Sequence, residues 1–305
     1  MSRVETPEAD PSAVGTIPKP PFVRLSDPVE LFAARAGRFR ALAEGHDLAP
    51  YLHFLAELCE AQATMQDGLA EPEAIDAEVL ARAHEHAMPP LDRGRFAVDT
   101  VFAATFDRLL AAAEQMNMPP QAAAARDRVK LMDAALREEM VHNVLAESIP
   151  VETLAEHIFV AAALQVHFAR LAARLDPKTL VSVGDSLCPS CGGAPSSTVI
   201  VRWSVPEGAR YCSCSLCGTL WNHLRSKCTL CGATKQILFQ EIEGSGGTVK
   251  AETCDDCRGY MKVLYQTKND ALDPVADDVA TLGLDLLVRE LGFRRGGVNP
   301  FLIGY

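Results

Sequence analysis

Apolar residues recur at helical spacing from residue 27 to about residue 180 and abandon that spacing over the next ninety or so. DPVELFAARAGRFRALAEG opens with Asp27 as an N-cap and Pro28 at the first helical position. APYLHFLAELCEAQATMQDG then places Leu48, Tyr51, Leu52, Leu55, Leu58, Cys59 and Gln62 on one stripe. DRGRFAVDTVFAATFDRLLAAAEQM, QAAAARDRVKLMDAALREEMVHNVLAES and VETLAEHIFVAAALQVHFARLAARL repeat the pattern with charge on the far side, and a shorter helix is expected over 73–86. Turn-like breaks at 45–46, 67–68, 88–90, 118–120 and 148–150 separate them. Five main helices and one short one predict an antiparallel bundle over 23–182, after an unstructured lead-in at 1–22.

From residue 184 to 268 Gly, Cys, Ser and Thr replace the helical stripe. TVIVRWSV, ARYCS, QILFQEIE, GTVKAET and YMKVLY read as short strands. Helix returns in PVADDVATLGLDLLVRELGF, with Pro274 at N1, Asp277 and Asp278 facing the positive end of the helix dipole, and Arg289 in the last turn. The tail RRGGVNPFLIGY ends apolar and is expected to dock on the rest of the chain.

The strand region is a repeat. CPSCG at Cys188 and CSLCG at Cys214 are 26 positions apart, as are CTLCG at Cys228 and CDDCR at Cys254, and a shift of 40 superposes the first pair on the second. The loop SVPEG falls on GSGGT and VIVRW falls on FQEIE. Each copy reads knuckle, strand, loop, strand, knuckle, strand. All eight CxxC cysteines fall on cysteines, whereas Cys212 falls on Glu252 and is the unmatched one.

A CxxC turn aims two sulfurs to one side, and two such turns close a tetrahedral four-sulfur site suited to Zn(II) or a single iron. The equal offsets favour Cys188, Cys191, Cys214 and Cys217 as one site and Cys228, Cys231, Cys254 and Cys257 as the other; pairing across the two central knuckles stays open. Units of about 30 residues have too little core to fold unaided, so the ions are expected to hold them together. Arg258 stands where the other knuckles have Gly, which is expected to cost a hydrogen bond to sulfur. Cys212 and His223 are candidates to touch the sulfurs from outside; packing for Cys212 and a solvated strand position for His223 are the plainer readings.

Net charge is −11, which argues against a nucleic-acid partner, since such proteins carry a basic face. Arg210, Arg225, Lys227 and Lys235 read as a solvated face. No stretch of eighteen apolar residues predicts a membrane span, and the N-terminus lacks the apolar core of a secretory signal, so the chain is expected in the cytoplasm. Glu139 and His142 have the ExxH spacing of di-iron bundles, but the chain contains no second ExxH. His84 and His86 fall on different helix faces, and Cys59 reads as a buried small apolar residue.

CPSCG, YCSCSLCGTLWNHLRSKCTLCG, CDDCRGYMKVL, PVADDVATLGLDLL and VNPF together resemble the FdhE family of formate dehydrogenase accessory proteins. The resemblance implies a cytoplasmic bacterial factor with rubredoxin-like knuckles that bind iron at the eight cysteines, with zinc as the alternative. It also implies contact with the catalytic, molybdopterin-carrying subunit of formate dehydrogenase before twin-arginine export. The expected architecture is α+β: a helical bundle (23–182), two tandem rubredoxin-like or zinc-ribbon modules (183–225 and 226–270), and a C-terminal helix and tail (271–305). No enzymatic turnover, nucleic acid, membrane insertion or small-molecule substrate is expected. The rival readings are a zinc-ribbon nucleic-acid or regulatory protein, a rubredoxin-like electron carrier, and a thiol–disulfide oxidoreductase.

Overall fold

Aspartates cap four of the α-helices among the described residues. Asp27 accepts the Glu30 N–H at 2.9 Å at the head of α1 (Pro28–Ala43), which packs on α2 (Ala49–Thr64). Asp76 caps α3 (Ala77–Glu85), and Asp99 accepts the Phe102 N–H at 2.7 Å to start α4 (Thr100–Ala112). α5 (Pro120–Leu131) and α6 (Ala134–Leu145) divide what periodicity predicts as one helix over 121–148. Met132 turns extended there, and Asp133 accepts the Leu136 N–H at 2.9 Å: an interior Asp takes the cap it prefers rather than continuing the helix. Likewise residues 92–99, expected as helix, form one short 3-10 turn and extended chain before Asp99. α7 (Leu154–Ala172) is buried nearly all round and is the post on which α4, α5 and α6 pack. The computed structural model describes residues 19–204 and 207–302; most of the lead-in, two residues of the loop SVPEG and the last three residues of the tail lie outside them.

This packing encloses several polar side chains of α7, Gln165 and His167 among them. Gln165 donates to the Ser215 carbonyl at 2.8 Å and accepts from Gln62 of α2 at 2.9 Å, linking two helices to the strand region. His167 is buried among the rings of Phe96, Phe102 and Phe168 at 5.4, 5.6 and 6.0 Å. Burial pulls its pKa from 6.5 down to about 4. The unfolded chain therefore binds this proton first as pH falls, so stability is full above about 6.5 and is lost as pH drops toward about 4. At about 1.4 kcal/mol per unit the loss is about 3 kcal/mol. Urea midpoints measured from pH 7 to 4 should fall less steeply for His167→Phe than for the parent; parallel slopes would contradict this.

The strands are β1 (Val23–Arg24), β2 (Pro195–Ile200), β3 (Arg210–Cys214), β4 (Leu220–His223), β5 (Ile237–Gln240), β6 (Val249–Cys254), β7 (Gly259–Tyr265) and β8 (Arg294–Arg295). The repeat is visible in them: β2, β3 and β4 shifted by 40 fall on β5, β6 and β7. Each copy is a three-stranded antiparallel ribbon, and the copies fuse into one sheet of order β1-β4-β3-β2-β7-β6-β5. The seam is the parallel pairing of Thr198, Val199 and Ile200 with Val263, Leu264 and Tyr265. The ribbons are therefore not two small units lacking a core. The first shares the main hydrophobic core with the helices through Cys188, Cys191, Cys212, Cys214, Cys217 and Trp221. A second core joins Val199, Tyr211, Ala251, Tyr260 and Leu264 to Leu284, Val288 and Phe293.

The C-terminal helix is also two, α8 (Ala276–Ala280) and α9 (Leu282–Glu290), broken at Thr281. Regular helix starts at Ala276 rather than at Pro274, and Asp273 accepts the Val275 and Ala276 N–H groups at 2.9 and 2.8 Å just ahead of it. Asp277 and Asp278 stand in the first turn as expected, and Asp277 accepts the Asp273 N–H at 2.8 Å there, but both are also paired with cations. Asp277 pairs with Arg38 of α1 at 2.6 Å. Asp278, fully buried, pairs with Arg295 at 2.5 Å and Lys262 at 3.2 Å, and Asp285 joins the same two cations. The tail docks: Phe301 and Leu302 are buried, and Tyr51 donates to the Phe301 carbonyl at 2.8 Å.

Candidate metal centres

Each knuckle folds by the same device. Gly192, Gly218 and Gly232 have φ of 77°, 72° and 75°, and each sends its N–H back to the carbonyl of its knuckle's first cysteine, at 2.8, 3.1 and 3.0 Å. Such φ values favour glycine because a Cβ crowds the backbone there. Arg258 adopts the same conformation at φ 53°, so the fourth knuckle keeps its shape with a strained residue. Its guanidinium is held over the Phe293 ring at 4.1 Å and donates to Asp255 at 2.8 Å and the Leu291 carbonyl at 3.1 Å.

The knuckles gather eight sulfurs into two groups of four, each group within 4.8 Å of itself: Cys188, Cys191, Cys214 and Cys217, and Cys228, Cys231, Cys254 and Cys257. The pairing is within each copy. Sulfur separations are 3.6 Å (Cys188–Cys217), 3.5 Å (Cys191–Cys214), 4.0 Å (Cys228–Cys257) and 3.8 Å (Cys231–Cys254). A tetrahedral ion with metal–sulfur bonds of about 2.3 Å sets its corners about 3.8 Å apart, so both groups could hold a metal ion. Thiol chemistry agrees. Hydrogen bonding from Cys188, with burial, pushes the Cys191 thiol up, and burial does the same to Cys217, while sulfur donors lower Cys214. Four thiolates this close and this dry need a cation among them.

The two centres differ in access. In the first all four cysteines are buried. The Leu91 and Arg93 N–H groups bind the Ser190 and Cys191 carbonyls at 2.9 and 3.2 Å, Gln165 holds Ser215, and the Thr219 hydroxyl sits 3.1 Å from the Cys217 sulfur. In the second Cys231 is exposed and Cys257 half-buried. Protein loaded with two zinc ions and challenged with excess chelator should therefore release one ion at least about tenfold faster than the other. Cys231→Ser should abolish the fast phase alone; release of both ions at one rate would contradict the difference in access.

The remaining sequence candidates are structural. Cys212 and Cys59 are buried thiols pushed up to about 12 by burial, hence unreactive. His223 is buried, not solvated; its ring contacts the Leu224 carbonyl at 3.0 Å rather than a sulfur, and burial, followed by Arg210, lowers its pKa. Arg210 is not on a solvated face. It is buried and pairs across the copies with buried Glu252 at 2.7 Å and with Thr229 at 2.6 Å. Glu252 fills the repeat position of Cys212, which explains the missing cysteine there: the second copy uses the place for an ion pair to the first. Thr219 and Gln165 escaped the sequence reading; Thr219 directly after the knuckle glycine was the available signal, and Gln165 inside an apolar run was another.

Comparison with known proteins covers the same architecture. Family models match in three consecutive stretches: "FdhE, N-terminal" over residues 20–185, "FdhE, central domain" over 187–225 and "FdhE, C-terminal domain" over 226–302. The chain belongs to the FdhE family. A "Protein FdhE homolog" of Rhizobium meliloti (strain 1021) is 45% identical over 300 residues, 98% of each chain. Another, from Edwardsiella ictaluri (strain 93-146), is 36% identical over 89% of this chain and 88% of its own. The crystal structure of the FdhE protein from Pseudomonas aeruginosa matches with a TM-score of 0.83 at 30% identity, covering 93% of this chain and 99% of that one. In FdhE terms, the first centre draws its ligands from the central stretch and the second from the C-terminal one.

Proposed function

We propose that this chain is a cytoplasmic maturation factor that binds the catalytic subunit of formate dehydrogenase and performs no turnover of its own. The observation that carries the reading is family membership along nearly the whole chain. The centres support it: a site closed by four cysteine sulfurs has no position left for a substrate, unlike the three-ligand sites of catalytic zinc. We assign iron to both centres by the family resemblance, held by Cys188, Cys191, Cys214 and Cys217 and by Cys228, Cys231, Cys254 and Cys257, with zinc as the alternative. Among the described residues no helix is long and apolar enough to cross a membrane. A net charge of −11, with Arg210 internal, disfavours the nucleic-acid reading.

The test is a binding measurement between the purified, metal-loaded chain and the matching catalytic subunit, with and without its molybdopterin. A stable complex by size exclusion supports the reading. Absence of a complex at micromolar concentration, together with a shift of generic duplex or single-stranded nucleic acid at low salt, would replace it with the nucleic-acid one. Metal analysis and a visible spectrum decide the ion: sulfur-to-iron charge-transfer bands mark iron, and a colourless protein with two zinc ions per chain marks zinc.

A further inference from the structure

The internal repeat fills a position in its first copy that stands open in its second. On the outer edge of β2, Thr198, Val199 and Ile200 receive β7 as a parallel strand. Forty residues on, the same three positions are Leu238, Phe239 and Gln240 of β5. The inner edge of β5 pairs with β6, and β5 ends the path of the sheet, so its outer edge carries no strand among the described residues. The opposite end of the path is closed differently: β1 covers β4.

An open edge presents unpaired N–H and C=O groups, and proteins ordinarily blunt it with lysine, proline or a bulge. ILFQ has none of these, its one protection being its length of four residues. Leu238 and Phe239 are 54% and 46% exposed, on opposite faces because side chains alternate along a strand, and Ile242 beyond them is 40% exposed. Apolar side chains on both faces of an unguarded edge are costly to leave in water and suited to strand addition.

We propose that β5 is a docking edge for an extended apolar segment of a partner protein, which adds as a parallel strand along Leu238–Gln240 in the register that β7 takes along β2. The chemistry of the occupant is written in the first copy: Val263, Leu264 and Tyr265 give a β-branched, an aliphatic and an aromatic residue in succession. Main-chain hydrogen bonds supply affinity, and the alternating apolar side chains on the two faces supply selectivity. The inference deepens the maturation reading by naming the kind of segment recognised, and it rests on that reading only for the partner's identity.

The probe is a fluorescent peptide copying this chain's own residues 260–266, YMKVLYQ, titrated into the full-length, metal-loaded protein. Saturable binding is expected. It should weaken at least about tenfold for Phe239→Asp, and equally for a peptide carrying Val263→Pro and Leu264→Pro, while Leu131→Asp, at an apolar residue exposed elsewhere, leaves it unchanged. The thermal midpoint of Phe239→Asp should match the parent, since this side chain is half in solvent. Equal binding of a scrambled peptide, no saturable binding, insensitivity to Phe239→Asp, or a dimer that Phe239→Asp dissociates would each overturn the proposal. Binding that appears only after removal of residues 1–18 would overturn it too, by making that segment the occupant. A Phe239→Asp chain that captures the catalytic subunit as well as the parent keeps the maturation reading and removes the docking edge.

Discussion

Cys188→Ser is expected to abolish the cooperative native state of the helical half as well as that of the first ribbon. Cys188 lies in the same hydrophobic core as Phe39, Leu55, Phe159 and Phe168, and its neighbours Ser190 and Cys191 receive the backbone of residues 91 and 93. A structural four-sulfur ion contributes about 10–16 kcal/mol of apparent binding energy, against a domain stability of about 5–15 kcal/mol. Losing one of four ligands forfeits enough of the first figure to exhaust the second. It also leaves three buried thiols without a cation to share. Near-ultraviolet circular dichroism should lose its fine structure and urea unfolding its sigmoid. Cys231→Ser, at the exposed centre, should keep both. A Cys188→Ser chain with the parent's urea midpoint would show that the helices stand without the first centre.

Lys262→Met should cost about 3–5 kcal/mol, because removing one member of a buried ion group strands the others. Lys262 is fully buried on β7, with Asp285 at 2.5 Å, Asp278 at 3.2 Å and the Asp278 carbonyl at 2.7 Å. Arg295 reaches both carboxylates, Tyr260 donates to Asp285 at 2.8 Å, and Asn299 to Asp278 at 2.8 Å. The group therefore nails α8, α9 and the tail to the sheet. Burial works to raise the Asp278 pKa, but Arg295 and then Lys262 outweigh it and hold the carboxyl below its usual value. A depressed carboxylate stabilises the fold above its unfolded pKa of about 3.9, and that contribution is lost as pH falls through the folded value. Without Lys262 the depression shrinks, so the acid limb of the stability curve should move to higher pH. An unchanged urea midpoint and acid limb in Lys262→Met would contradict this account.

The residues of the centres were legible because the chain has only ten cysteines, and eight of them fall in CxxC pairs at offsets of 26 and 40. Helix existence was legible from apolar spacing; the breaks at Asp133 and Thr281 were not, since an aspartate or threonine inside a periodic stretch fits either an exposed helix face or a cap. The parallel seam of β2 and β7 joins positions 65 residues apart, and no local pattern encodes such a pairing. Asp277, Asp278 and Arg210 read as solvated or dipole-facing charges because sequence shows a charge but not its partner: Arg38 is 239 positions from Asp277, and Glu252 is 42 from Arg210. His223 misled for the opposite reason, since a strand histidine has no periodic mark of burial.

The sealed first centre bears on how the protein is made. Its fourth ligand comes only at position 217, after α1 to α7, and the covering segment at 88–93 lies earlier in the chain. An ion at this centre would have to enter before that cover closes, and would then leave only when the fold opens. An ion held there would then record which metal was present when the fold closed, whereas one at the second centre, with Cys231 exposed, would stay in exchange with its surroundings.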